Sequence, residues 1–165
     1  MVQESSFPII RPALPGEAQL ISDLALRSKG HWSYDIAFLA ACREELTYSA
    51  ELIAKGSMQF FVLELNRKIV GFYALDARQE TQIELEALFV EPTYIGRGYG
   101  RLLIEHAKQR ATATGATEMI IQGDPYAAAF YRAAGGVLTG ERESDSIPGR
   151  YLPTFSVPLT PRRSD

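Results

Sequence analysis

One cysteine and two histidines are all that this chain of 165 residues offers to thiolate or imidazole chemistry. Cys42 alone excludes an intrachain disulfide and a thiolate zinc cage, and His31 and His106 lie far apart in sequence, so no metal site is expected. Positive charge is not in surplus either, with 17 Lys and Arg against 20 Asp and Glu and a formal net charge of -3. Such a balance gives no bulk attraction to nucleic acid or anionic lipid, and neither partner is expected. No apolar run approaches a membrane span, and the opening MVQESSFPII lacks the basic start and long apolar stretch of a secretion signal. A cytoplasmic location is the default expectation. Repeats and low-complexity segments are also missing, and only the tail PRRSD reads as loose.

What is present is an ordinary globular composition, 46% apolar and 22% charged, long enough for one domain over residues 1–165 with a core of its own. FPIIRP at 7–12 reads as an edge strand stopped by Pro12, and Pro15 opens a helix through about residue 29 with Leu20, Ile21, Leu24, Ala25 and Leu26 on its apolar face. SKGHWSY breaks the pattern before helical spacing returns in Ile36, Phe38, Leu39 and Cys42, up to about Leu46. Residues 49–55 are ambiguous. MQFFVLEL and IVGFYALDA read as a hairpin turning at Asn66-Arg67-Lys68, and TQIELEALFVEP is a further strand ended by Pro92. A helix over about 98–114 buries Leu103, Ala107 and Ala111, with Leu102 and Ile104 beside them, and ends at Gly115. TEMIIQ, the short helix PYAAAFYRAAGG and two weaker strands near 137–143 and 151–159 complete the chain. Strand, glycine loop, helix and strand over 81–122 form a crossover unit with parallel strands, whereas the hairpins are antiparallel. The expected fold is α/β (α+β): a mixed, mostly antiparallel sheet of about six to seven strands with helices on both faces.

The segment YIGRGYGRLL places Gly96, Gly98 and Gly100 on alternate positions before a helix, with Arg97 and Arg101 beside them. Free backbone N–H groups and the positive end of a helix dipole suit a phosphate or pyrophosphate. A dinucleotide fingerprint would need a small residue at Leu103, and a Walker loop needs a Gly-Lys-Ser/Thr that is missing. The hexapeptide Ile95-Gly96-Arg97-Gly98-Tyr99-Gly100 instead resembles the Q/R-x-x-G-x-G/A loop of the GNAT (Gcn5-related N-acetyltransferase) family, with Ile95 in place of Gln or Arg. DPYAAAFYRAAGG at 124–136 resembles that family's N-x-x-A-x-x-F-Y-x-x-x-G segment, with Asp124 for the usual Asn and Ala127, Phe130, Tyr131 and Gly135 in place. The opening FPIIRPALPGEAQLISDL is also similar to the family's usual start, so the resemblance spans essentially the whole chain.

The resemblance implies acetyl-CoA as co-substrate, no metal, and an amine acceptor, either a small molecule or a protein amine. It implies cofactor contacts from Leu88, Phe89, Val90, Ile95, Gly96, Arg97, Gly98, Tyr99, Gly100, Arg101, Asp124, Phe130 and Tyr131, with one strand-end N–H polarising the thioester carbonyl. Tyr131 would protonate the departing thiolate. An alkylamine has a pKa of about 10.4, so a base is needed near neutrality, and Glu84 and Glu86, alternating onto one face of ELEALFV, are the candidates without a preference between them. Glu80 and Glu91 read as surface charges, and His106 as a surface or half-buried side chain. His31, Trp32 and Tyr34, with Ser33 between them, lie where the family builds its acceptor pocket, and Arg150 in SDSIPGRYLP either clamps an acceptor carboxylate or ties down its loop. Cys42 lacks a motif partner, so direct transfer in a ternary complex is expected, on a monomer or homodimer. The rival expectations are a non-catalytic acyl-CoA sensor and a transferase for a longer acyl group.

Overall fold

A computed structural model of the chain describes residues 7–160 apart from Ser33 and Arg78; the opening six residues, Ser33 of the expected acceptor loop and the PRRSD tail lie outside the described residues. In chain order the elements are β1 (Ile9–Pro12), α1 (Ala18–Gly30), α2 (Ile36–Cys42), α3 (Ala50–Lys55), β2 (Met58–Leu65), β3 (Lys68–Ala77), β4 (Gln82–Val90), α4 (Tyr99–Ala113), β5 (Glu118–Gln122), α5 (Ala128–Ala133), β6 (Val137–Glu143) and β7 (Tyr151–Pro158). Seven strands make one sheet in the order β1-β2-β3-β4-β5-β7-β6. Among the described residues only β4 and β5 run parallel, with α4 as their crossover.

Local chemistry accounts for most boundaries. Asn66 and Arg67 both adopt positive φ, the geometry of a two-residue turn that matches strand twist, and so close the β2–β3 hairpin. Residues 49–55 resolve as α3, capped by the Ser49 hydroxyl accepting from the Leu52 N–H and ended by left-handed Gly56. Pro15 opens a 3-10 turn that leads into α1, which buries Ile21, Leu24 and Ala25 but leaves Leu20 exposed. Leu20 lies one residue outside the stripe that a period of 3.6 sets.

Two cores sandwich the sheet. On one face α4 and α5 pack Leu103, Ile104, Ala107 and Tyr131 against Tyr73, Leu75, Ile83, Leu85 and Phe155. The other face carries α1, α2 and α3 over Phe60, Val62, Phe72 and Ala74. His106 is half-buried on α4 with Nδ1 2.6 Å from the Tyr73 hydroxyl, and burial lowers its pKa, so it serves as a packed polar contact. Glu91, read as a plain surface charge, pairs with Arg27 at 2.7 Å and ties the end of β4 to α1.

Strand β4 changes face along its length. Ala74 pairs with Ala87 and Leu75 with Leu85, so Glu86 is the extra residue of a β-bulge. Ile83 and Leu85 therefore meet the α4 core while Ala87 and Phe89 meet the α1 core. Pairing with β5 covers only Gln82–Leu85. Beyond Glu86 the strand continues to Val90 with β3 on one side and a gap on the other.

Leu103 sits at the centre of this architecture, fully buried, with its Cδ1 2.9 Å from where a side chain on Gly71 would begin. Leu103→Ala is expected to lower unfolding stability by about 2–5 kcal/mol in chemical denaturation, and a loss below about 1 kcal/mol would contradict the close packing described.

Candidate active site

The gap beyond Glu86 opens into a cleft of about 850 Å³ that runs from the start of α4 to the α2 end and the β6–β7 turn. Its middle is β4. Backbone groups of alternate residues in a strand point to opposite edges, so part of the N–H and C=O groups of Glu86–Val90 face a gap without a strand partner. Leu88, Phe89 and Val90 line it, as do Ile95, Gly96, Gly98, Gly100 and Arg101.

Gly98 is the N-cap of α4 at φ 88°, a left-handed conformation that a side chain would strain, and no side-chain cap satisfies the helix start. The orphan N–H groups of the first turn are thus left for an anion. Gly100 serves closeness instead, since a Cβ there would lie 3.3 Å from the Phe130 ring. Arg97 and Tyr99 do not line the cleft; the Arg97 guanidinium lies 5.3 Å from the Tyr94 ring, and Tyr99 packs at 6.0 Å from the same ring. They support the loop from outside.

Glu84 and Glu86 both line the cleft, yet their surroundings differ. Glu84 is buried, and its carboxylate accepts a 2.6 Å bond from Arg142 on β6, whose guanidinium also donates to Gln122 on β5. The carboxylate thereby joins three strands. Glu86, re-aimed by the bulge, is exposed in the cleft close enough to Tyr48 for its charge to act there. Burial pushes the Tyr48 phenol well above its usual value, and Glu86 and then Glu45 push it further.

Tyr131 lies on α5 facing the cleft, almost wholly buried between Phe130 and Phe155. Burial, and after it the Asp124 charge, raise its pKa far above the ordinary value of 10.0. It is a neutral phenol across the physiological range.

Asp124 anchors a cluster. Its carboxylate accepts from Lys29 Nζ at 2.6 Å, from the Tyr34 hydroxyl at 2.9 Å and from the Tyr126 N–H at 3.0 Å, with Arg150 at 3.8 Å. Arg150 in turn donates to the Tyr34 oxygen at 2.8 Å and lies 4.6 Å from the Phe38 ring centre. Burial alone would raise the Asp124 pKa; bonds from Lys29, Tyr126 and Tyr34 outweigh it, and the net direction is down. Trp32 lines the cleft and stacks on Tyr126 at 5.4 Å, Tyr34 stands behind the wall as a partner of Asp124, and His31 faces a separate shallow depression beside Arg27 and Glu91.

Lys29, Tyr48, Gln122, Tyr126 and Arg142 were not singled out from the sequence. Gln122 and Arg142 lie in strands where alternation gives no sign of a partner two strands away. Lys29 had one signal, a cation in the last turn of a helix.

Residues 26–135 match the acetyltransferase (GNAT) family, and the chain belongs to that family. Over 88 residues, 53% of this chain and 55% of the relative, it is 34% identical to the peptidyl-lysine N-acetyltransferase YjaB of Salmonella typhimurium. The chain therefore spans about half the length of that curated relative. A GCN5-related N-acetyltransferase from Rhodopseudomonas palustris superposes with a TM-score of 0.77 at 23% identity, covering 96% of this chain and 100% of that one. The PaiA N-acetyltransferase of Thermoplasma acidophilum, solved with coenzyme A, gives 0.76 at 17% identity over 92% and 99%. At these identities the superpositions show a shared fold.

A depressed folded-state pKa for Asp124 means that its contribution to stability is fully present above the ordinary value of 3.8 and is lost as pH falls through the folded value. Thermal melts between about pH 5 and about pH 3 are expected to show a smaller acid-induced loss in Asp124→Asn than in the parent, alongside a lower melting temperature at neutrality. Parallel curves would mean that the charge of Asp124 does not hold the cluster.

Proposed function

We propose that the chain is an N-acetyltransferase that passes an acetyl group from acetyl-CoA directly to a primary amine in a ternary complex. The observation that carries this reading is the continuity of one cleft from the uncapped start of α4, past the open edge of β4, to Glu86 and Tyr131. A pyrophosphate suits the first place, a thin extended arm the second and an acyl transfer the third. Family membership supports the co-substrate, and the peptidyl-lysine activity of YjaB supports an amine as acceptor.

In this reading Glu86 is the general base. Glu84 is buried with its carboxylate bonded to Arg142, whereas Glu86 is exposed to the cleft on the bulge. Glu86 removes a proton from the acceptor ammonium, directly or through water; the nitrogen attacks the thioester carbon; and a strand-end N–H among Leu88–Val90 stabilises the oxyanion. When the carbon–sulfur bond breaks, the thiolate takes the electron pair under a hydrogen bond from Tyr131, and the second proton of the attacking nitrogen passes through water to the thiolate.

Thiol release from acetyl-CoA over a panel of amines tests the reading, and binding without release for every amine would favour a sensor. Glu86→Gln is expected to lower kcat/KM by about 100-fold or more below the acceptor's pKa, with partial recovery as pH rises and free amine accumulates. Glu84→Gln should cost less and show as lost stability. An unchanged pH–rate profile for Glu86→Gln would remove Glu86 as the base.

Tyr131→Phe keeps the ring and deletes the hydroxyl. Acetyl-CoA affinity should hold in calorimetry while kcat falls by roughly 10- to 1000-fold. Wild-type kcat in this variant would make Tyr131 a packing residue only.

A further inference from the structure

Tyr131 is aimed by what its ring packs against, and part of that surface is bare backbone. A side chain on Gly123 would begin 3.0 Å from two carbons of the Tyr131 ring and 3.4 Å from the ring of Phe155. Carbon atoms in contact settle at about 3.5–4.0 Å, so the phenol lies against Gly123 because that residue has no Cβ. The ring centres of Phe130 and Phe155 stand 5.3 and 5.9 Å away and complete the packing.

The corner that carries Gly123, where β5 turns toward α5, is held from two directions. The Gly123 N–H donates to the Pro153 carbonyl at 2.9 Å and extends the β5–β7 pairing by one residue. Asp124 follows, and both of its carboxylate oxygens are used. Oδ1 accepts from the Tyr126 N–H at 3.0 Å and caps the 3-10 turn Pro125–Ala127 that leads into α5. Oδ2 accepts from Lys29 Nζ at 2.6 Å near the end of α1, and the Tyr34 hydroxyl lies 2.9 Å from each oxygen. The Lys29 and Asp124 side chains are only 15% and 14% exposed, so salt and water screen the pair little. Helix α1 covers one face of the sheet and α5 the other, and this ion pair joins the two layers at the end of β5.

We infer that Gly123 and Asp124 are positioning residues for Tyr131: Asp124 fixes the corner to the turn ahead of it and to α1 behind it, and Gly123 is the surface on which the phenol rests. This rests on the acetyl-transfer reading above, in which the Tyr131 hydroxyl hydrogen-bonds the departing thiolate. A hydrogen bond weakens steeply as its angle opens, and misplacing a reacting group by about 1 Å can cost about 100-fold, so a displaced seat is felt at the sulfur. Asp124→Asn keeps an oxygen for the Tyr126 N–H but sets amide hydrogens against the Lys29 ammonium, where two donors meet. Asp124→Ala removes both ties, and Gly123→Ala leaves the ties and pushes the ring itself.

Gly123→Ala and Asp124→Ala are each expected to lower kcat by about tenfold, with Asp124→Asn between Asp124→Ala and the parent. In a Tyr131→Phe background the same changes should cost less than about twofold, because a hydroxyl that is gone cannot be misaimed. Equal losses in both backgrounds overturn the inference while leaving acetyl transfer intact, since a corner that only supports the fold acts with or without the hydroxyl. A parent kcat in Gly123→Ala overturns it as well. Should Tyr131→Phe itself keep the parent kcat, the hydroxyl has nothing to be aimed at and the inference falls with it. Thiol release with none of a panel of amines overturns acetyl transfer, and the seat is then decided without turnover. A crystal structure of Asp124→Ala, or of Asp124→Asn if the first does not fold, is expected to show the Tyr131 hydroxyl displaced by about 0.5 Å or more. An unmoved hydroxyl overturns the inference whether or not any amine is acetylated.

Discussion

The candidate site depends on β4 parting from β5. Parallel strands joined by a helix would ordinarily stay paired along their length, and a closed sheet would leave no place for a ligand between them. Here the pairing ends at Leu85 opposite Ile121, and the extra residue at Glu86 turns the remaining strand. Since β3 still holds β4 from Gly71 to Ala77, the strand does not fray where its other edge is open. The result is a rigid edge with exposed backbone donors, set beside the uncapped start of α4. Rigid donors lose little entropy when a ligand arrives, which is why an open strand edge and a helix start make a better binding surface than a loop would.

Opening a sheet exposes charges that would otherwise be paired across it, and two ion pairs restore order on either side of the gap. Arg142 draws Glu84 and Gln122 together and so fastens β6 to the strands on both sides of the cleft. Asp124 does the same for the loops, joining the end of α1, the segment before α2 and the β6–β7 turn at the point where β5 gives way to α5. A buried carboxylate is costly to desolvate, and removing one partner leaves the other unpaired. Such contacts therefore fix geometry more than they add stability.

Much of this was legible in the sequence because it depends on local rules. The glycine loop, its helix and the flanking strands follow from turn chemistry and periodicity, and the crossover follows from the connection length. Leu20 falls outside the buried stripe of its helix, and six helical residues at Ala50–Lys55 carry too little periodicity to be read, although Ser49 and Gly56 mark both ends. The bulge leaves no sign in ELEALFV: alternation puts Glu84 and Glu86 on one face but gives no sign that Glu84 meets an arginine 58 residues away. Separation in sequence likewise hides Lys29 and Arg150 from Asp124, and Glu91 from Arg27. Long-range ion pairs depend on which loops the fold brings together, and no spacing rule reaches that far.

On the proposed reading, the two proton-handling groups occupy opposite environments, and this division has a physical logic. Glu86 is exposed, so solvent can carry away each proton it accepts. Tyr131 is buried, with Asp124 nearby; its raised pKa makes it a poor source of protons to water, while the low dielectric around it strengthens the hydrogen bond it gives to charge that develops beside it. A free thiol titrates near about 8.5, below such a phenol, so complete transfer from Tyr131 runs uphill. Its contribution falls instead on the breaking of the carbon–sulfur bond, when a hydrogen bond to the forming thiolate is strongest. The pH dependence of turnover then belongs to the acceptor amine and its base, not to the phenol, because Tyr131 keeps its proton across the physiological range.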